Sequence, residues 1–226
     1  MRRVVLVAAL GAVVLAAAPE RVAAAGLDLR AGAFFPRADS NLFADTEELF
    51  GAQKDDWIGF TGGVEYSFRV ASRFELGFHV DWYGRTLDTL YVDFTRPNGQ
   101  DIFQTLEIDT LPTGATLRFV VNPSRGAITP YIGVGADAVF YEYKQYGDFI
   151  DFFDDNLPVR SDFFVDEGTA FGFHVTGGVR FPLGDDFSLV AEGKYMWAKT
   201  DMGEDFRLNE IDLSGPSATL GINLRF

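Results

Sequence analysis

Cysteine is missing from this chain of 226 residues. That excludes disulfides, thiolate metal sites, thiol nucleophiles and a lipid-modified N-terminal cysteine. Histidine is nearly missing, with His79 and His174 the two present. Such a chain has little to build a dedicated zinc or copper site from, and no metal or other cofactor is expected. Basic charge is scarce as well: 19 Lys and Arg stand against 33 Asp and Glu. No nucleic-acid partner is expected, because phosphates need basic surface. Long apolar runs are also lacking. The uncharged stretch from Val4 to Ala18 is shorter than the roughly 20 residues a helix needs to cross a bilayer. No later stretch is apolar for long enough either.

That stretch follows Arg2 and Arg3 and precedes Ala23-Ala24-Ala25, small residues suited to a cleavage site. Residues 1–25 therefore read as a secretory signal peptide, cut between Ala25 and Gly26. Residues 26–226 form one domain, with no linker or low-complexity tract inside it. Without the leader, 16 basic residues face 32 acidic ones.

What is abundant is phenylalanine, 23 residues, and glycine, 24, set in a period of two. In "DWIGFTGGVEYSFR", Ile58, Phe60, Val64, Tyr66 and Phe68 alternate with Gly59, Thr61, Gly63, Glu65 and Ser67. "GLDLRAGAF", "RFELGFHVDWYGR", "LPTGATLRFVV", "ITPYIGVGADAVFY", "TAFGFHVTGGVRFPL", "DFSLVAEGKYMWA" and "SATLGINLRF" repeat the pattern. This predicts eight strands of about ten residues, each apolar on one side. Short turns around Ala71, in "NPSRGA" and in "LGDD" alternate with long acidic connections at 36–56, 85–110, 142–168 and 199–214. Asn98-Gly99 suits a tight hairpin turn, so 85–110 reads as two strands extended beyond the body. The layout is an all-β, eight-stranded, antiparallel up-and-down barrel with both termini on the short-turn side.

The glycines decide which face meets what. Gly63, Gly77, Gly114, Gly133, Gly135, Gly172, Gly178 and Gly221 lie on the polar face. A water-facing row gains nothing from residues that weaken strands and offer no polar side chain. The crowded interior of an eight-stranded barrel does need small residues beside large ones. The other face is almost free of charge: Phe171, Phe173, Val175, Val179 and Phe181 form one row. Aromatic residues near strand ends match the girdles at a lipid–water boundary. The apolar face points outward, and the barrel is transmembrane.

The final strand, Leu220, Ile222, Leu224 and Phe226 alternating to the last residue, resembles the C-terminal signal recognised by the outer-membrane barrel-assembly machinery. "TPYIGVGADAVFYEY" and "FGFHVTGGVRFPLGDDFSLVAEGKYMWA" resemble strand pairs of the small OmpA/opacity/OmpW-like barrels. That resemblance implies an integral protein of the Gram-negative outer membrane, monomeric, in contact with lipid and lipopolysaccharide, with periplasmic termini. It implies a structural or surface-interaction role, or, as the OmpW likeness suggests, a narrow channel for small solutes.

Three constellations remain. Gly133, Gly135 and Ala138 match a loose dinucleotide pattern, but they lie inside a strand with no helix after it. His174, Thr176 and Glu192 share the inward face and could form a general-base triad; barrel-type lipid A deacylases carry such groups facing lipid. A lipid A-modifying hydrolase is thus a third reading, although the chain is expected not to be an enzyme. The simpler expectation is a lumen network of Glu65, Glu75, Arg118, His174, Arg180, Glu192, Lys194 and Arg225, with Asp28 and Arg30, because buried charges need partners. In it Arg180 and Glu192 are candidates for a direct pair. The acidic, aromatic-rich segment 142–168 reads as a solvated loop on the barrel rim. It also suits an external contact surface, its carboxylates bridged by divalent cations to lipopolysaccharide phosphates or its aromatics offered to an external partner.

Overall fold

The computed structural model describes residues 25–121, 127–151, 154, 156–203, 206 and 210–226. The expected leader up to Ala24 and most of the "NPSRGA" turn lie outside these. The elements are β1 (Ala25–Phe34), helix α1 (Asn41–Phe50), a 3-10 turn (Lys54–Trp57), β2 (Gly59–Ala71), β3 (Phe74–Thr95), β4 (Asp101–Val120), β5 (Thr129–Ile150), β6 (Val159–Pro182), β7 (Phe187–Asp201), β8 (Glu210–Asp212) and β9 (Gly215–Arg225). From β1 to β7 each strand pairs antiparallel with the next. Strand β9 pairs with both β7 and β1, which closes a ring of eight. The short β8 pairs with the end of β7, above β9.

The ends of the chain seal the ring. The Ala25 N–H donates to the Phe226 carbonyl (3.2 Å) and the Phe226 N–H to the Ala25 carbonyl (3.1 Å). Ala25, the last residue of the expected leader, is thus the first residue of β1. Outside, the Phe226 ring stacks on Tyr66 at 6.5 Å. The rows of outward apolar residues are exposed to the surroundings, Phe171 at 81 % and Leu220 at 71 %.

Strands β3 to β6 are twice the expected length, 20 to 24 residues. The segment 85–110, expected as two strands extended beyond the body, and the segment 142–168, expected as a rim loop, are mostly the far halves of two long hairpins. Their alternation inverts partway along. On β5 the inward row runs Gly133, Gly135, Asp137, then Val139, Tyr141, Tyr143, while the outward row runs Ile132, Val134, Phe140, then Glu142, Lys144. Strand β4 does the same: Arg118 and Thr116 give way inside to Ile108, Leu106 and Ile102, and Leu117 outside gives way to Asp109 and Glu107. About ten residue steps separate Pro130 from Phe140; at about 3.3 Å per residue and a tilt of about 40° they rise about 25 Å, the height of a membrane barrel's apolar band. Beyond that level the barrel continues into water. Its outside must be polar there and its inside must be an ordinary apolar core.

Helix α1 fills this upper core, an element that alternation of period two could not announce. It buries Leu42, Phe43, Thr46 and Phe50, one face of a helical repeat. Gly51 ends it in the left-handed region (φ 67°), its N–H donating to the Glu47 carbonyl at 2.9 Å. Trp57 is buried behind it, edge-on to Phe43 at 5.3 Å, and the Tyr83 hydroxyl donates to the Trp57 carbonyl. Tyr91 packs edge-on against Phe50 at 4.9 Å. The plug is therefore continuous with the walls.

Candidate functional site

The lower lumen, within the apolar band, is filled by charge. Nearest the chain termini, Arg180 donates to Glu75 at 2.6 Å and lies 3.7 Å from Asp28. Above it, Arg118 makes a two-pronged pair with Glu65, donates to Glu192 at 3.1 Å and reaches Asp28 at 3.8 Å. Arg30 pairs with Glu192, with Asp81 at 3.2 Å and with Glu65 at 3.5 Å. Tyr131 lies between Arg118 and Arg180, which face its ring at 4.9 and 5.0 Å, and its hydroxyl donates to Glu192 at 2.7 Å. Each guanidinium touches at least two carboxylates, as burial of charge requires.

A second layer sits just below the apolar plug. Lys194 donates to Asp81 at 2.6 Å. Asp137 lies between the imidazoles, 2.9 Å from His79 Nε2 and 2.6 Å from His174 Nδ1. Thr116 Oγ1 lies 2.9 Å from His174 Nε2 and 3.5 Å from His79 Nδ1.

The lumen residues read from the sequence thus come together, with two corrections. Arg180 and Glu192 are not direct partners. In the β6–β7 register Arg180 faces Val190 and Glu192 faces Gly178, and Tyr131 occupies the space beside Gly178, where a Cβ would lie 2.4 Å from its hydroxyl. Arg225 stands at the rim, half-buried, where it donates to Asn223 at 3.3 Å and, among the described residues, makes no ion pair with a carboxylate.

The suggested His174–Thr176–Glu192 triad does not assemble either. Thr176 bonds the Gly193 carbonyl at 3.1 Å and Glu192 belongs to the arginine layer. The hydroxyl on His174 is that of Thr116, and the carboxylate is Asp137. This order of hydroxyl, imidazole and carboxylate has the connectivity of a nucleophilic triad, but Thr116 is 1 % exposed. Reading the sequence missed the grouping of Thr116, His79, Asp81, Asp137 and Tyr131. Their inward parity was visible, but which inward residues meet across the lumen depends on register. Gly133 and Gly135, the loose dinucleotide match, lie inside β5, and a Cβ on Gly135 would meet the His174 ring at 2.4 Å.

Among the described residues, two interior cavities measure about 30 Å3 (between Thr61, Asp81, Lys194 and Met196) and about 10 Å3 (between Phe34, Trp57 and Leu213). A closed antiparallel ring, apolar outside and filled within, is the form of a small membrane barrel. The outer membrane protein beta-barrel domain family matches residues 5–226. The chain belongs to this family. Solved structures of small barrels are similar to it at low identity. The outer-membrane barrel OprG from Pseudomonas aeruginosa is 14 % identical over 89 % of this chain and 95 % of its own, with a TM-score of 0.54. Neisserial surface protein A is 13 % identical over 92 % of this chain and 100 % of its own (TM-score 0.49). Ail of Yersinia pestis is 13 % identical over 91 % of this chain and 100 % of its own (TM-score 0.45). No curated protein matches the chain in sequence.

The part of this outer-membrane barrel above the apolar band carries most of its acidic surface. Arg96 of the β3–β4 hairpin pairs with Asp148 of the β5–β6 hairpin. A hydrogen bond from Ser161, with Arg96 nearby, holds the Asp148 carboxyl below its usual range. Lys144 bonds Glu107 at 2.7 Å and Glu142 at 3.0 Å, and these hydrogen bonds hold its ammonium above the usual lysine range.

Proposed function

We propose that this chain is a closed, monomeric barrel of the Gram-negative outer membrane, with a structural or surface-interaction role and no catalytic activity. One observation carries the reading: the lumen is filled at both levels, by ion pairs within the band and by α1 and its apolar partners above. In this reading residues 1–25 are the export signal, the termini face the periplasm, and the long acidic hairpins stand outside the cell. Lipid contacts the apolar band. Lipopolysaccharide, or an external partner, meets the projecting hairpins. In planar bilayers the purified barrel is expected to give no stable conductance. Discrete conductance steps would replace this reading with that of a narrow channel. Lipid A from an expressing strain should keep its mass, and a changed mass would favour the hydrolase.

The same reading assigns Leu220, Ile222, Leu224 and Phe226 to recognition by the assembly machinery. Phe226→Asp should lower the amount inserted in the outer membrane. Normal insertion would leave these residues as packing alone.

A further inference from the structure

We infer that His79, His174 and Asp137 form a binding site for one divalent transition-metal cation of the zinc class. The chain's two histidines, too few to suggest a site from the sequence, come from β3 and β6 and meet in the lumen with their rings edge-on at 5.2 Å. Asp137 of β5 reaches both. One donor atom from each of the three lies within 4.8 Å of the others. Around a tetrahedral ion with bonds of about 2.0–2.1 Å, donors sit about 3.3 Å apart. Asp137 is now 2.9 and 2.6 Å from the two ring nitrogens, so these pairs must open by under about 1 Å to admit an ion, and donors up to 4.8 Å apart must close by up to about 1.5 Å. Two imidazoles and a carboxylate suit zinc, cobalt or nickel better than magnesium or calcium, which prefer all-oxygen shells.

The surrounding groups support this use. Histidine ligands are oriented by a partner on the other ring nitrogen. Here those outer nitrogens both face one hydroxyl oxygen, Thr116 Oγ1, at 2.9 Å for His174 and 3.5 Å for His79. A hydroxyl oxygen can accept from both, which leaves the two nitrogens facing Asp137 as lone-pair donors. His79 Nε2 also has incompatible neighbours. It lies 2.9 Å from a carboxylate that can only accept and 3.2 Å from the Lys194 ammonium, which can only donate. No single protonation state of that nitrogen satisfies both. A cation shared with Asp137 uses the Nε2 lone pair and the carboxylate together, while Lys194 keeps Asp81 at 2.6 Å. Lys194 opposes the ion electrostatically, so it limits affinity and gives the test its sign.

The test refolds the barrel into detergent in the presence of Zn2+ or Co2+, because the filled lumen hinders entry afterwards, and counts metal after desalting. The folded barrel should retain a single equivalent, with visible cobalt bands of a four-coordinate nitrogen–oxygen site in which a water completes the three side-chain donors. His79→Gln and His174→Gln should each lower affinity at least tenfold. Lys194→Met should raise it several-fold, a direction that loss of folding cannot produce, so the inference stays testable if a histidine variant fails to fold. A folded wild-type barrel that retains no metal, or retention unchanged by both histidine substitutions, or by Lys194→Met, would overturn it.

Discussion

Arg118 is 1 % exposed at the level where hydrocarbon surrounds the barrel, and it is stable there because Glu65 and Glu192 are already in place. Removing one partner of such a pair costs about 3–5 kcal/mol, since the remaining charge is left in a medium that cannot solvate it. The geometry makes this selective. Arg180→Leu and Glu75→Leu should each lower the denaturant midpoint of the refolded barrel, and the double variant should recover part of the loss. Arg180→Leu combined with Glu192→Leu should show a smaller coupling, because Tyr131 separates the two. A larger coupling for Arg180 with Glu192 than with Glu75 would contradict the partners described.

At the scale of elements, helix α1 depends on the barrel more than the barrel on it. Ten residues are too few for a helix to persist alone in water. Its apolar face is held by Trp57 and by residues of the projecting strands. Truncating a buried tryptophan typically costs about 3–5 kcal/mol, and here the loss should fall on the plug. Trp57→Ala should expose the bonds after Arg37 and Lys54, which flank α1, to trypsin by about a hundredfold or more. The barrel itself should keep its heat-sensitive migration on a denaturing gel. Unchanged cleavage would mean that the plug is anchored elsewhere.

For the whole molecule, the level at which alternation inverts marks one edge of the membrane. Val134, outward and 58 % exposed, lies inside the band. Val134→Arg should cost about 2–4 kcal/mol in lipid vesicles, as charge near the midplane of a barrel does. Thr86, outward on the projecting part of β3 and opposite Glu107, should accept arginine within about 0.5 kcal/mol. Equal costs at the two positions would place the boundary elsewhere. The same asymmetry accounts for a chain of net charge −14 inserting in a membrane, because the acidic side chains of the projecting hairpins lie above the band.

Much of this was legible in the residues. Strict alternation through Phe226 specified strands and a last strand that had to pair. Glycines opposite phenylalanines told inside from outside, because a narrow lumen and a lipid face make opposite demands on size. Parity placed Glu65, Arg118, Arg180, Glu192 and Lys194 inward, since a period of two needs no knowledge of neighbours. Partner choice did not follow from parity. That Arg180 meets Glu75 rather than Glu192, and that His79 and His174 share Asp137 and Thr116, depends on register and on side chains crossing the lumen. The extent of the strands was hidden for a related reason. Above the membrane the apolar and polar rows exchange faces, so the sequence of 142–168 reads as acidic loop until closure of the ring shows which row faces the core, whereas Asn98-Gly99 marked 85–110 as a strand pair. Helix α1 was the least legible, because a short helix is stabilised by the cavity it fills, and only the closed barrel provides that cavity.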